Sequence, residues 1–111
     1  MPSKAFLGEL EQMILLAILK YENAATAIEV SGELEASARR TVARGALYTT
    51  LGRLERKGLL EWRVDPGGDE RANLPKRRFT VRPAGIQALR VSLDALRRLS
   101  EGSERVLDTP R

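Results

Sequence analysis

Apolar residues recur at helical spacing in four stretches of this 111-residue chain, and two short strand-like runs lie between the third stretch and the fourth. In residues 7–21, Leu7, Leu10, Ile14 and Ile18 keep one face. From Met13 to Leu19 apolar residues cover almost every direction, the mark of a helix buried in a core or against a second subunit. A break at Asn23–Ala27 offers Asn23 and Thr26 as caps. A second helix then runs to about Ala38, with Ile28, Val30 and Leu34 as its apolar positions and Ala27 and Ala38 in support. Arg39 to Ala43 forms a turn in which Thr41-Val42 is expected to make a short β-bridge.

The third helix, Arg44 to Lys57, carries Leu47, Leu51 and Leu54 in one stripe. At about 100° per residue, Gly45, Thr49, Arg53 and Arg56 project from the other side, with Tyr48 and Gly52 on a flank. Gly58 stops it, and Arg56 and Lys57 occupy the last turn, where cations suit the helix dipole. Leu59 to Val64 reads as a strand, Asp65 to Pro75 as a loop rich in Pro, Gly, Asp and Asn, and Lys76 to Val81 as the return strand, with Phe79 and Val81 on one face. Arg82-Pro83 opens the last helix. Its Ile86, Leu89, Leu93 and Leu96 are spaced as an a/d seam, which Leu99 widens until Gly102 ends it. Such a helix extends about 28 Å, longer than a lone small domain requires. Pairing with the same helix and with the first helix of another subunit is therefore expected, through Ile14, Ile18, Ile86, Leu89, Leu93 and Leu96.

Three helices followed by strand, loop and strand give the fold class: mainly α with a small β-hairpin, a winged helix-turn-helix plus a C-terminal dimerisation helix. The expected division is residues 1–82 for the winged-helix unit, 83–102 for the dimerisation helix and 103–111 for a flexible tail.

Charge adds a direction to this outline. The net charge of +4 hides a concentration, since residues 39–82 hold 12 basic and 5 acidic residues while the remainder is net acidic. A basic middle is the footprint of a polyanion-binding face. Arg71, Lys76, Arg77 and Arg78 tip or flank the wing. On an edge strand such cations also discourage unwanted pairing, but their position next to a basic helix favours phosphate contact.

Cysteine and histidine are both absent. That removes disulfides, thiolate metal sites, the Cys nucleophile, the usual zinc ligand and the usual general base. Glu29, Glu33 and Glu35 read as solvated surface with nothing converging on them, so no metal, cofactor or enzymatic activity is expected. The lack of cysteine fits a reducing cytoplasm. The apolar run Met13–Leu19 is far short of the ~20 residues that span a bilayer. Glu9 and Glu11 sit where a signal peptide would be apolar.

The motifs resemble those of the PadR-like transcriptional regulators. L-G-E-L-E-Q-M-I-L-L-A-I-L at 7–19 is similar to that family's opening helix. R-G-A-L-Y-T-T-L-G-R-L-E-R-K-G-L-L at 44–60 is similar to its recognition helix and first wing strand, with Gly45, Leu47, Tyr48, Leu51, Leu54, Gly58 and Leu59 in place. K-R-R-F-T-V-R-P-A-G at 76–85 resembles the second wing strand and the entry to the last helix. Ala43 stands where relatives often carry a capping Ser, which forfeits ~1 kcal/mol. Gly52 sits within the helix at a similar cost relative to Ala, roughly 1 kcal/mol.

The resemblance implies a homodimer that binds double-stranded DNA at a palindromic operator, usually as a repressor. Some members sense small aromatic or cationic compounds at the dimer interface, which makes a small-molecule effector a candidate partner. Within that frame Arg53 and Thr49 are the candidates for base edges, and Tyr48 and Arg44 for phosphate. Lys76, Arg77 and Arg78 are the expected backbone contacts from the wing. The alternative is a winged-helix adaptor whose basic face binds an acidic protein.

Overall fold

The computed structural model describes residues 7–69 and 74–109. Its elements are α1 (Glu9–Lys20), α2 (Ala27–Ala38), α3 (Arg44–Arg56), β1 (Leu60–Asp69), β2 (Leu74–Val81), α4 (Pro83–Ser100) and α5 (Glu104–Leu107). One core joins them: Ile14, Leu15 and Ile18 of α1 meet Val30 and Leu34 of α2, Leu47, Leu51 and Leu54 of α3, Leu60, Phe79 and Val81 of the wing, and Leu89 of α4. The mainly helical fold with an antiparallel hairpin and a long last helix is the one the apolar pattern predicts.

The α1–α2 connection is built on left-handed residues. Glu22 and Asn23 have φ of 57° and 58°, a region Asn tolerates better than most side chains. Thr26, not Asn23, caps α2: Glu29 N–H donates to Thr26 Oγ1 and Thr26 N–H to Glu29 Oε1, a reciprocal capping box. Asn23 instead pairs with β2. Its Nδ2 donates to Val81 O at 3.1 Å and its Oδ1 accepts from Val81 N–H at 2.7 Å. Ala25 and Phe79 exchange backbone hydrogen bonds beside it. Residues 23–25 thus cover one edge of the hairpin and fix the wing to the helices. The bridge expected at Thr41-Val42 does not form; residues 39–43 have no regular structure, and the isolated bridge among the described residues is Ala25–Phe79. Thr41 Oγ1 donates to Glu35 Oε2 instead.

Helix α3 ends in a complete Schellman motif. Gly58 has φ of 76°, Leu59 N–H donates to Leu54 O, and Gly58 N–H donates to Glu55 O. At the other end Ala43 supplies no side-chain cap. The wing strands run further than the expected loop allowed. Pairing continues from Leu60–Val81 through Asp65–Lys76 and resumes at Asp69–Leu74 after an irregularity. A Pro-Gly-rich stretch can stay in a hairpin where its departures from ladder geometry fall at a bulge. Arg71 lies outside the described residues.

Two close contacts seat α4 against the rest of the chain. Leu7 N–H donates to Ser92 Oγ of α4 at 3.0 Å. Gly85, on the first turn of α4, lies against the backbone of Leu59, where an added Cβ would stand 2.3 Å from the carbonyl oxygen. The stretch expected as a loose tail includes the exposed one-turn helix α5.

Candidate nucleic-acid interface

The outward face of α3 is set by what its inward face does. Leu47, Leu51 and Leu54 are buried, and Thr50 joins them by donating its hydroxyl to Ala46 O. Arg44, Gly45, Thr49, Arg53 and Arg56 are consequently exposed. The Arg44 guanidinium sits 5.7 Å from the centre of the Tyr48 ring, and Tyr48 is 41% exposed. Among the described residues, Arg44, Arg53 and Arg77 form no ion pair.

Lys57, in the helix C-cap position, is engaged. Its Nζ lies 2.9 Å from Glu11 Oε2 of α1, while Glu11 Oε1 accepts from Gly8 N–H. Burial raises the pKa of the Glu11 carboxyl. The Lys57 hydrogen bond, the Gly8 N–H and the charges of Lys57 and Arg53 outweigh that and hold it below the usual carboxylate range. A lowered folded-state pKa stabilises the fold above the unfolded value, and that stabilisation is lost as pH falls through the folded value. Glu11→Gln is therefore expected to cost about 1 kcal/mol near neutral pH, since Gln can still accept from Gly8 and the half-exposed Lys57 is partly screened. The difference between the two proteins should vanish as acid titrates the wild-type carboxylate below the ordinary range. Denaturant melts across pH 2–7 measure it, taken from about the acid end of the carboxylate range to neutrality.

The wing residues divide. Lys76 and Arg77 are exposed. Arg77 lies over the Trp62 ring at 4.4 Å, and the strand pairing sets both on one face of the hairpin. Arg78 faces the other way and is held by its own chain. Its Nε lies 2.9 Å from Asp65 Oδ2, and its Nη1 donates to Ala24 O at 3.0 Å and reaches Glu29 Oε1 at 3.4 Å. With three acceptors engaged, Arg78 clamps the wing to the start of α2. The sequence run Lys76-Arg77-Arg78 hides this difference: the pleat turns Arg77 to the opposite face from Arg78, while Lys76 shares the face of Arg78 and stays exposed further along the wing.

The expected subunit contacts also divide. Ile14, Ile18 and Leu89 are buried in the chain's own core, and Ile86 packs against it. They leave little surface for a partner, because a core of this size needs them. The outer half of the seam behaves differently: Leu93, Leu96 and Leu99 are exposed, Leu96 by 54% and Leu99 by 77%. Leu16, which the pattern did not single out, is exposed on α1. It borders a groove of about 300 Å³ between α1 and α2, floored by Met13, Ala17, Leu34 and Ala38. Its signal was present, since two positions from Ile14 or Ile18 is about 200° round a helix. Glu29, Glu33 and Glu35 go to separate neighbours: Thr26 and Arg78, Lys20 and Ser37, and Thr41.

A basic helix fixed from behind and flanked by a two-stranded wing makes this a winged helix-turn-helix protein. No protein-family model matches the chain, and no curated protein matches it. Solved structures do match. A PadR-like transcription factor from Bacteroides fragilis is 25% identical, with 87% of this chain and 88% of that one covered and a TM-score of 0.70. PadR from Bacillus subtilis, solved with operator DNA, is 20% identical over 73% of this chain and 44% of that one, with a TM-score of 0.59. BpsR from Bordetella bronchiseptica, whose DNA binding is regulated by 6-hydroxynicotinic acid, is 20% identical over 92% of this chain and 67% of that one, with a TM-score of 0.63. Across most of its length the chain has the fold of the PadR-like transcriptional regulators, a family of regulators and not of enzymes.

Proposed function

We propose that the protein is a homodimeric, sequence-specific DNA-binding regulator, acting as a repressor at a palindromic operator. The observation that carries this is the exposed Thr49–Arg53 side of a helix whose other side is locked into the core, with Arg44 exposed at its first turn and neither arginine in an ion pair among the described residues. Entering the major groove, Arg53 suits guanine, and Thr49 suits a hydrogen-bonding edge or a thymine methyl. Arg44, Tyr48, Lys76 and Arg77 grip phosphate and fix the register. The fold shared with the operator-bound PadR supports the ligand. The apolar Leu93, Leu96 and Leu99 of α4, with Leu16 of α1, supply the partner surface. BpsR is the precedent for a small-molecule effector.

About six phosphate contacts per dimer predict that log K falls by about 5 per decade of salt. A slope near zero removes DNA as the ligand and leaves an acidic protein partner as the reading. Arg53→Ala is expected to relax base preference at one position in each half-site and to cost ~1–3 kcal/mol at each. An unchanged footprint and affinity would remove Arg53 from the reading surface.

A further inference from the structure

Ile28 belongs to the apolar set of α2 by composition, but it is not in the core. It stands 77% exposed at the second position of the helix. Val30 and Leu34 face inward, and Ile28 lies about 160° round from Val30. A single exposed Ile is ordinary. This one forms a wall of a cleft of about 250 Å³ between the start of α2 and α3. Val42 and Leu47 also line the cleft, as do Tyr48, Ser31 and Arg44.

The lining is apolar with a cation among it. Arg44 is exposed and forms no ion pair among the described residues. Glu29, the acidic residue nearest in the first turn of α2, is turned away into its capping box and toward Arg78. A trough that alternates hydrocarbon and guanidinium matches a strand that alternates deoxyribose and phosphate. An acidic peptide with apolar side chains fits this less well, because the cleft lies beside Arg44, the first residue of the helix read above as entering the groove.

We propose that this cleft seats one strand of duplex DNA by its sugar–phosphate backbone, with Ile28 against a deoxyribose and Arg44 on the adjoining phosphate. The proposal rests on the DNA-binding reading given above. Ile28 is then a positioning residue: it sets how deeply α3 lies in the groove without reading a base. Because it carries no charge, its contact releases no counterion, so its contribution does not depend on salt. Because it touches the sugar, its contribution does not depend on sequence.

The test compares full-length wild type, Ile28→Ala and Arg44→Ala by anisotropy titration of labelled duplexes of several unrelated sequences, each at a series of salt concentrations. Half-burial of the three lost carbons predicts that Ile28→Ala binds about eightfold more weakly per protomer, hence roughly sixtyfold for the dimer, on every duplex, with the wild-type salt slope. Arg44→Ala should also weaken binding and should lower the slope by about 2, one for each protomer. Melting of Ile28→Ala should match wild type, since the side chain lies outside the core. Wild-type affinity in Ile28→Ala would overturn the proposal. So would a loss confined to particular sequences, which would mean a base contact, or a changed slope. A wild-type protein that binds no duplex at low salt would overturn the DNA reading itself, so the two failures are distinct.

Discussion

Gly85→Ala should unfold the protein at a temperature lower by about 10 °C, a loss of about 3 kcal/mol. A Cβ at Gly85 would lie 2.3 Å from the Leu59 carbonyl oxygen and 2.8 Å from Val81 Cγ1. The first obstacle is backbone, and it cannot rotate aside. That carbonyl also accepts from Arg82 N–H at 2.9 Å, a bond that holds the entry to α4 against the end of α3. Alanine is the better helix former by roughly 1 kcal/mol, so propensity alone predicts stabilisation. The clash wins because relieving it means moving α4 away from Leu59, which disturbs the packing of Leu89 and the Ser92–Leu7 bond. Thermal melts decide the sign. A variant that melts at or above wild type would show that α4 is not seated as closely as described.

Leu96→Asp should leave each chain folded and separate the dimer, weakening self-association by about three orders of magnitude. Leu96 is more than half exposed in the single chain, so the core loses little. In the proposed dimer it stands between Leu93 and Leu99, and a carboxylate there would be buried without a partner. Sedimentation measures the effect: wild type should run at twice the mass of the chain and the variant at the mass of one. Operator affinity should fall with it, because one protomer alone engages one half-site. A variant that stays dimeric would move the interface elsewhere, with the α1–α2 groove beside Leu16 next in line.

Much of this architecture was legible because apolar spacing reports it directly. The stripe Leu47, Leu51, Leu54 fixed which way α3 faces, and Gly58 marked its end at the residue that turns left-handed. The sequence is less direct where one residue type serves two purposes. Arg78 is chemically as fit for phosphate as Arg77, and only the pleat with the nearby Asp65, Ala24 carbonyl and Glu29 turns it into a clamp. Ile14, Ile18 and Leu89 keep the same spacing as the exposed Leu93 and Leu96, and the pattern cannot say which neighbour covers an apolar side chain. Ile28 is a different case, since its angle already set it apart from Val30 and Leu34. Asn23 looked like a cap because Asn often is one. Its pairing with Val81, 58 residues along the chain, has no local signature.

In the proposed complex the outward side of α3 meets DNA twice, in a two-fold pair. Selection of bound duplexes from a random pool by the full chain tests it most directly. A two-fold pair should enrich an inverted repeat whose half-sites are centred about one helical turn, ~34–36 Å, apart. A pool that stays random, or that converges on a single unrepeated site, would contradict it.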